Sequence, residues 1–254
     1  MSGHLKAASI FPSPPPLSSS WALFLDVDGT LVELADTPDA ATARPDLLPV
    51  LESARDLLGG ALALVSGRPL SGVDRLAPLC GPAAGMHGLE HRRADGVMLD
   101  IAPPTPALRA LADDLRTFEA HNPGIICEDK GPTVTLHFRM VPELEAAARK
   151  LIQSHRQKLE PDYKLQEGKM MIEIKPAAAT KGRAVETFMQ EPPFAGRLPV
   201  FVGDDITDED GFEAVNRLGG LSVWVSDAPA SRTTAAQFRL SGVGDVIAWL
   251  NQNS

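Results

Sequence analysis

Three short apolar runs in this chain each end abruptly in a polar turn, and that pattern constrains the fold more than any other feature. Trp21 to Leu25 runs into Asp26-Val27-Asp28-Gly29-Thr30, Ala61 to Val65 into Ser66-Gly67-Arg68, and Leu198 to Val202 into Gly203-Asp204-Asp205. Five apolar residues without alternation fit a strand covered on both faces. Helical stretches separate the runs: Leu48 to Leu58, Lys181 to Met189, Asp208 to Leu218 and Val243 to Leu250, with a further strand at Leu221 to Val225. Strands alternating with helices predict an α/β fold with a Rossmann-like, doubly wound parallel sheet. Such sheets bind ligands at the carboxyl ends of their strands, where these polar turns lie.

The pattern breaks near Pro103. Ala107 to Ala120 reads as an amphipathic helix stopped by Asn122-Pro123-Gly124. Ile125 to Lys130 and Thr133 to Arg139 read as a hairpin, Glu143 to Leu159 as a helix and Met170 to Ile174 as a strand. Together they predict a small α+β unit with one open sheet face, inserted in the first fold. The expected division is a core of residues 21–104 and 176–254, an insert of 105–175, and a flexible Pro/Ser-rich tail of 1–20.

Composition narrows the partners. Twenty-four Lys and Arg against 33 Asp and Glu give a net charge of −9. The chain therefore has no broad electrostatic footprint for nucleic acid or an anionic membrane. An anionic ligand would need a local device, a metal or a helix N-terminus. Cys80 and Cys127 cannot form a disulfide framework, so a reducing, cytoplasmic location is expected. No apolar stretch is long enough to cross a membrane as a helix.

Asp26 and Asp28 put two carboxylates at i and i+2 behind a buried strand. One can attack while the other moves protons, and their mutual repulsion implies a cation. An Asp-x-Asp-Gly turn can also be no more than a turn. Ser66 has a hydroxyl and a following backbone N–H suited to a phosphoryl oxygen, or to a simple helix cap. Lys181 sits at a helix N-terminus, where the dipole opposes a cation. That is misplaced for stability and well placed beside a phosphate. Asp204 and Asp205, with Asp208 following, offer hard oxygen ligands of the kind Mg²⁺ takes, or a helix cap.

In order and context, Asp26-x-Asp28-Gly29-Thr30, Ser66, Lys181 and Gly203-Asp204-Asp205-x-Thr207-Asp208 resemble the four motifs of the haloacid dehalogenase (HAD) superfamily. The 115 residues from Ser66 to Lys181 are too many for one crossover, and in that superfamily an insert there is a substrate-selecting cap. Gly85-Met86-His87-Gly88-Leu89-Glu90, Glu128-Asp129-Lys130 and Glu173-Ile174-Lys175-Pro176 narrow the resemblance to the trehalose-6-phosphate phosphatase family, from about Trp21 onward. It implies a monomeric, Mg²⁺-dependent phosphatase acting on a small molecule, trehalose 6-phosphate. In that reading Asp26 is the nucleophile, Asp28 the general acid and base, and Lys181, Ser66 and Gly67 grip the phosphoryl group. Asp26, the Asp28 backbone carbonyl and Asp204 hold the metal, with Asp208 supporting it. Glu128, Lys130 and Glu173 grip the distal glucose, and Arg68, His87 and Glu90 belong to the substrate site.

Some readings stay open. Glu128 and Lys130 could be a solvated surface pair. His137 and Arg139 read as solvating the sheet face, His91 and His155 as surface residues, and Met170 and Met171 as core. A phosphatase for another sugar phosphate, or a protein that binds one without turnover, are the competing functions. The Glu128, Lys130 and Glu173 set argues against the first, and retention of Asp26 against the second.

Overall fold

The computed structural model describes residues 11–35, 40–99, 103–168, 170–227 and 233–253. The chain divides into two compact units, one of Met1–Leu99 with Thr180–Ser254 and one of Asp100–Ala179.

In the first unit the elements are β1 (Trp21–Leu25), α1 (Leu47–Leu57), β2 (Leu62–Val65), α2 (Leu70–Leu76), β3 (Ala83–Gly85) and β4 (Glu90–Arg92). The second unit contributes α3 (Pro106–His121), β5 (Ile126–Asp129), β6 (Val134–His137), α4 (Glu145–Leu159), β7 (Tyr163–Gly168) and β8 (Met171–Pro176). The chain then returns through α5 (Lys181–Phe188), β9 (Leu198–Gly203), α6 (Glu209–Arg217), β10 (Leu221–Val225), β11 (Phe238–Leu240) and α7 (Val243–Leu250).

The first sheet has the order β11-β10-β9-β1-β2-β3-β4, parallel except for β4. Its centre is β1, with Leu23 opposite Leu62 of β2 and Val200 of β9. All five β1 residues are buried, which is why the strand reads as an unbroken apolar run. The α1 helix buries Leu47, Val50, Leu51 and Ala54, the spacing of one helical face. Phe24, Phe188 and Phe194 fill the core behind β1, with ring centroids 5.0–5.9 Å apart. At Gly182 any Cβ would run into the Asp210 carbonyl, so α5 and α6 approach with backbone nearly in contact.

The second sheet is antiparallel, β5-β6-β8-β7. Val134, Leu136, Ile172 and Ile174 point from it into a core shared with Leu108, Leu111, Leu115, Ala148 and Ile152 of α3 and α4. Thr105 caps α3 by accepting the Leu108 N–H, with Pro106 at the first helical position. The seams lie a few residues outside the expected ones. Thr105 N–H donates to the Tyr163 hydroxyl and Ala177 N–H to the Asp162 carbonyl, which keeps both flanks with the second sheet.

Four expectations are corrected. Residues 11–20 are not a loose tail: Pro14 and Leu17 are buried, the Trp249 indole N–H donates to the Pro15 carbonyl at 2.9 Å, and Arg239 N–H to that of Pro12 at 3.0 Å. Proline carbonyls are good acceptors, and such docking leaves no periodicity to read. Residues 1–10 of the expected tail lie outside the described residues. His91 is buried against Phe188 and 2.9 Å from Glu191, and His155 is buried 2.8 Å from Asp114, so neither is a surface residue. Met171, which reads as core, alternates with Ile172 and lies half-buried on the opposite face of the sheet.

Candidate active site

The carboxyl ends of the central strands carry the site. Asp26 follows β1, Ser66 follows β2, Asp204 follows β9, and Lys181 opens α5. Thr180 caps that helix by accepting the Arg183 N–H at 3.1 Å, which fixes where Lys181 starts. Lys181 Nζ donates to Asp26 Oδ1 at 2.7 Å and to Asp208 Oδ1 at 2.6 Å. All three groups are buried. The second Asp208 oxygen accepts the backbone N–H groups of Asp204 at 3.0 Å and Asp205 at 2.9 Å. Asp208 thus ties the lysine to the turn that carries Asp204, while Asp205 takes part in a reciprocal capping box with it.

Oxygen atoms of Asp26, Asp204 and Asp208 lie within 4.8 Å of one another. Gly29 makes this approach possible. Its φ is +75°, and any Cβ there would occupy the Asp204 carboxylate. Burial, reinforced by Asp208, pushes the Asp26 carboxyl well above the usual carboxylate range against the pull of Lys181. Burial and then Asp208 push Asp204 up to about 7. Burial alone would lower the Lys181 ammonium, but Asp26 and Asp208 outweigh it and hold the group above its ordinary value. Three carboxylates against one ammonium leave the site with surplus negative charge. Hard oxygen donors with such a surplus suit a divalent cation.

The Asp28 side chain is outside this cluster. It meets Arg68 in a two-pronged pair, Nε to Oδ2 at 2.6 Å and Nη2 to Oδ1 at 2.5 Å. The Ser66 hydroxyl accepts the Arg68 backbone N–H at 3.1 Å. The turn is braced from the next strand, with His87 N–H donating to the Ser66 carbonyl and Met86 N–H to that of Arg68. The His87 ring packs where a Gly67 side chain would be. Glu90 Oε2 accepts the Leu70 N–H at 2.5 Å, so this carboxylate braces the entry to α2.

Glu128, Lys130 and Glu173 belong to the second unit. Strand pairing sets Glu128, Thr135, Glu173 and Gln166 in one row across β5, β6, β8 and β7, on the face turned away from α3 and α4. Lys130 Nζ is 3.3 Å from Glu128 Oε1, and His137 Nε2 is 3.5 Å from Oε2. Thr135 and Gln166 stand in this row but were not among the site residues read from the sequence. The alternation of β6 carried the signal for Thr135, whereas Gln166 needed the pairing of a strand the sequence did not reveal.

The trehalose-phosphatase family model matches residues 24–243. The chain is 44% identical over 237 residues to the trehalose-6-phosphate phosphatase of Escherichia coli (strain K12), covering 93% of this chain and 87% of that protein. It is 43% identical over 233 residues to a probable trehalose-phosphate phosphatase of Sinorhizobium fredii (strain NBRC 101917 / NGR234), covering 91% and 88%. The solved structure of Aspergillus fumigatus trehalose-6-phosphate phosphatase superposes with a TM-score of 0.69 at 25% identity, over 93% of this chain and 94% of that one. A family match over most of the chain, with relatives of this identity along nearly their whole length, places this chain in the trehalose-phosphatase family, on a HAD-like fold.

Proposed function

We propose that the chain hydrolyses trehalose 6-phosphate to trehalose and phosphate through an aspartyl-phosphate on Asp26. The observation that carries this reading is the buried bridge from Asp26 through Lys181 to Asp208, beside Asp204. Lys181 holds one Asp26 oxygen and orients the other for in-line attack on phosphorus. The Asp26–phosphorus bond forms as the bond to the sugar oxygen breaks, and Asp28 gives that oxygen a proton. Asp28 then takes a proton from water, which attacks phosphorus and restores the Asp26 carboxylate. Ser66 Oγ and the Gly67 N–H bind phosphoryl oxygens. The Arg68 fork that holds Asp28 has the geometry to take a phosphoryl group instead, which frees Asp28 to move protons.

Asp26, the Asp28 carbonyl and Asp204 would hold Mg²⁺, with Asp208 fixing the Asp204 turn from behind. When bound, the ion supplies charge neutralisation that lets a phosphate dianion approach a carboxylate nucleophile. Glu128, Lys130 and Glu173 supply donors and acceptors for sugar hydroxyls, which an apolar pocket could not discriminate. His87 lines the phosphate turn, and Glu90 acts by bracing it. The protein acts as a cytoplasmic monomer.

Phosphate release with Mg²⁺ should be measured for trehalose 6-phosphate, sucrose 6-phosphate, glucose 6-phosphate and mannose 6-phosphate. A strong preference for the first, abolished by chelator and by Asp26→Asn, is expected. Equal turnover of all four would remove the role given to Glu128, Lys130 and Glu173. Activity surviving Asp26→Asn would refute the nucleophile.

A further inference from the structure

Trp224, the penultimate residue of β10, pairs with Gly203, the residue before Asp204. Its indole N–H donates to the Asp204 backbone carbonyl at 3.1 Å. The ring is nearly fully buried and is held from two directions. Phe11 meets it edge-on with centroids 6.0 Å apart, and the Arg239 guanidinium lies 5.3 Å from its centroid. The two neighbours are tied together, because the Arg239 backbone N–H of β11 donates to the carbonyl of Pro12, next to Phe11, at 3.0 Å. The Asp204 turn is thus fixed at three points. Asp208 takes the N–H groups of Asp204 and Asp205, and Trp224 takes the intervening carbonyl.

We infer that Trp224 is a positioning residue for the metal-ligand turn, and that the segment at Phe11–Pro12 is the strap that holds it in place. This rests on the reading of Asp204 as a metal ligand. A carboxylate ligand works only if its own peptide is oriented, and a hydrogen bond to that peptide sets the direction in which the side chain leaves the backbone. The strap supplies packing that the short strand β11 and the end of β10 do not provide alone. It gives residues that read as a flexible tail a task at the catalytic centre.

The test is Mn²⁺ binding by the full chain, read as free Mn²⁺ by electron paramagnetic resonance, with the melting temperature of the metal-free protein measured alongside. Trp224→Phe keeps a ring between Phe11 and Arg239 and removes the N–H. It should raise the Kd for Mn²⁺ on the order of tenfold. Phe11→Ala, a change at a partly buried position, should raise it about two- to fivefold. Asp204→Ala should abolish the site. A wild-type Kd in Trp224→Phe overturns the inference. If Trp224→Phe melts far below wild type, Phe11→Ala decides: weaker Mn²⁺ binding supports the strap and an unchanged Kd overturns it. If Asp204→Ala binds Mn²⁺ as wild type does, the metal reading itself fails and takes the inference with it.

Discussion

Replacing Asp204 by Asn should stabilise the metal-free chain, although it disables the site. The Asp204 carboxyl rises from 3.8 to about 7, mainly because burial and Asp208 oppose its charge. A raised folded pKa means that the folded state binds more protons than the unfolded one between pH 4 and 7. Stability then falls as pH rises through that window and stays low above it. At about 1.4 kcal/mol per pH unit, three units set an upper bound of about 4 kcal/mol. Partial exposure and relaxation of the turn reduce this to about 1–3 kcal/mol. Asn keeps the size and removes the charge. The assay is thermal unfolding in chelator at pH 8, where about 2 kcal/mol corresponds to a Tm rise of roughly 4–8 °C for a chain this long. On the ligand role proposed for Asp204, excess Mg²⁺ should raise the wild-type Tm and leave Asp204→Asn nearly unmoved. A variant that melts below wild type in chelator would refute the charge argument. Equal stabilisation of both by Mg²⁺ would refute the ligand role.

Lys181→Met removes the ammonium that Asp26 and Asp208 share; kcat should fall about 10²–10³-fold, and unfolding of the metal-free chain should become more steeply pH-dependent between pH 5 and 8, which parallel rate and melting measurements would check. Asp208→Asn should cost about 3–5 kcal/mol, because the amide cannot accept from both Lys181 and the two backbone N–H groups, and urea unfolding will measure it. Glu173→Gln or Lys130→Ala should lower kcat/KM for trehalose 6-phosphate about 10–100-fold and leave hydrolysis of p-nitrophenyl phosphate unchanged; equal losses on both substrates would exclude a sugar-binding role.

What the sequence disclosed depended on how each residue earns its place. The strands β1, β2 and β9 are covered on both faces, so burial wrote them as apolar runs, and β10 follows suit apart from its buried Ser222. Asp26, Ser66, Lys181 and Asp204 were legible because a polar residue behind such a strand, or a cation at a helix N-terminus, conflicts with local stability. The strands β3, β4 and β11 are three residues each, too short to show a period. The edge strand β7 interleaves Lys164, Gln166 and Glu167 with its apolar residues and reads as loop. Partnerships were invisible where they join distant segments. No spacing in the chain pairs Arg68 with Asp28, Glu90 with the Leu70 N–H, or Trp224 with Asp204.

The central strand β1 is completed by a partner made much later. Its neighbour β2 follows closely, but β9 lies roughly 175 residues downstream, beyond the whole second unit. At ribosomal rates of about 5–20 residues per second, the apolar edge of β1 waits roughly 10–35 seconds for pairing. The second unit is continuous in sequence and has its own core, so it can fold during that wait. The first unit cannot close until β9 emerges, and Asp26 gains Lys181 and Asp208 only then. Nascent chains halted between Ala179 and Leu198 therefore expose an unpaired, fully apolar strand edge, which makes this interval the point of greatest demand for a chaperone.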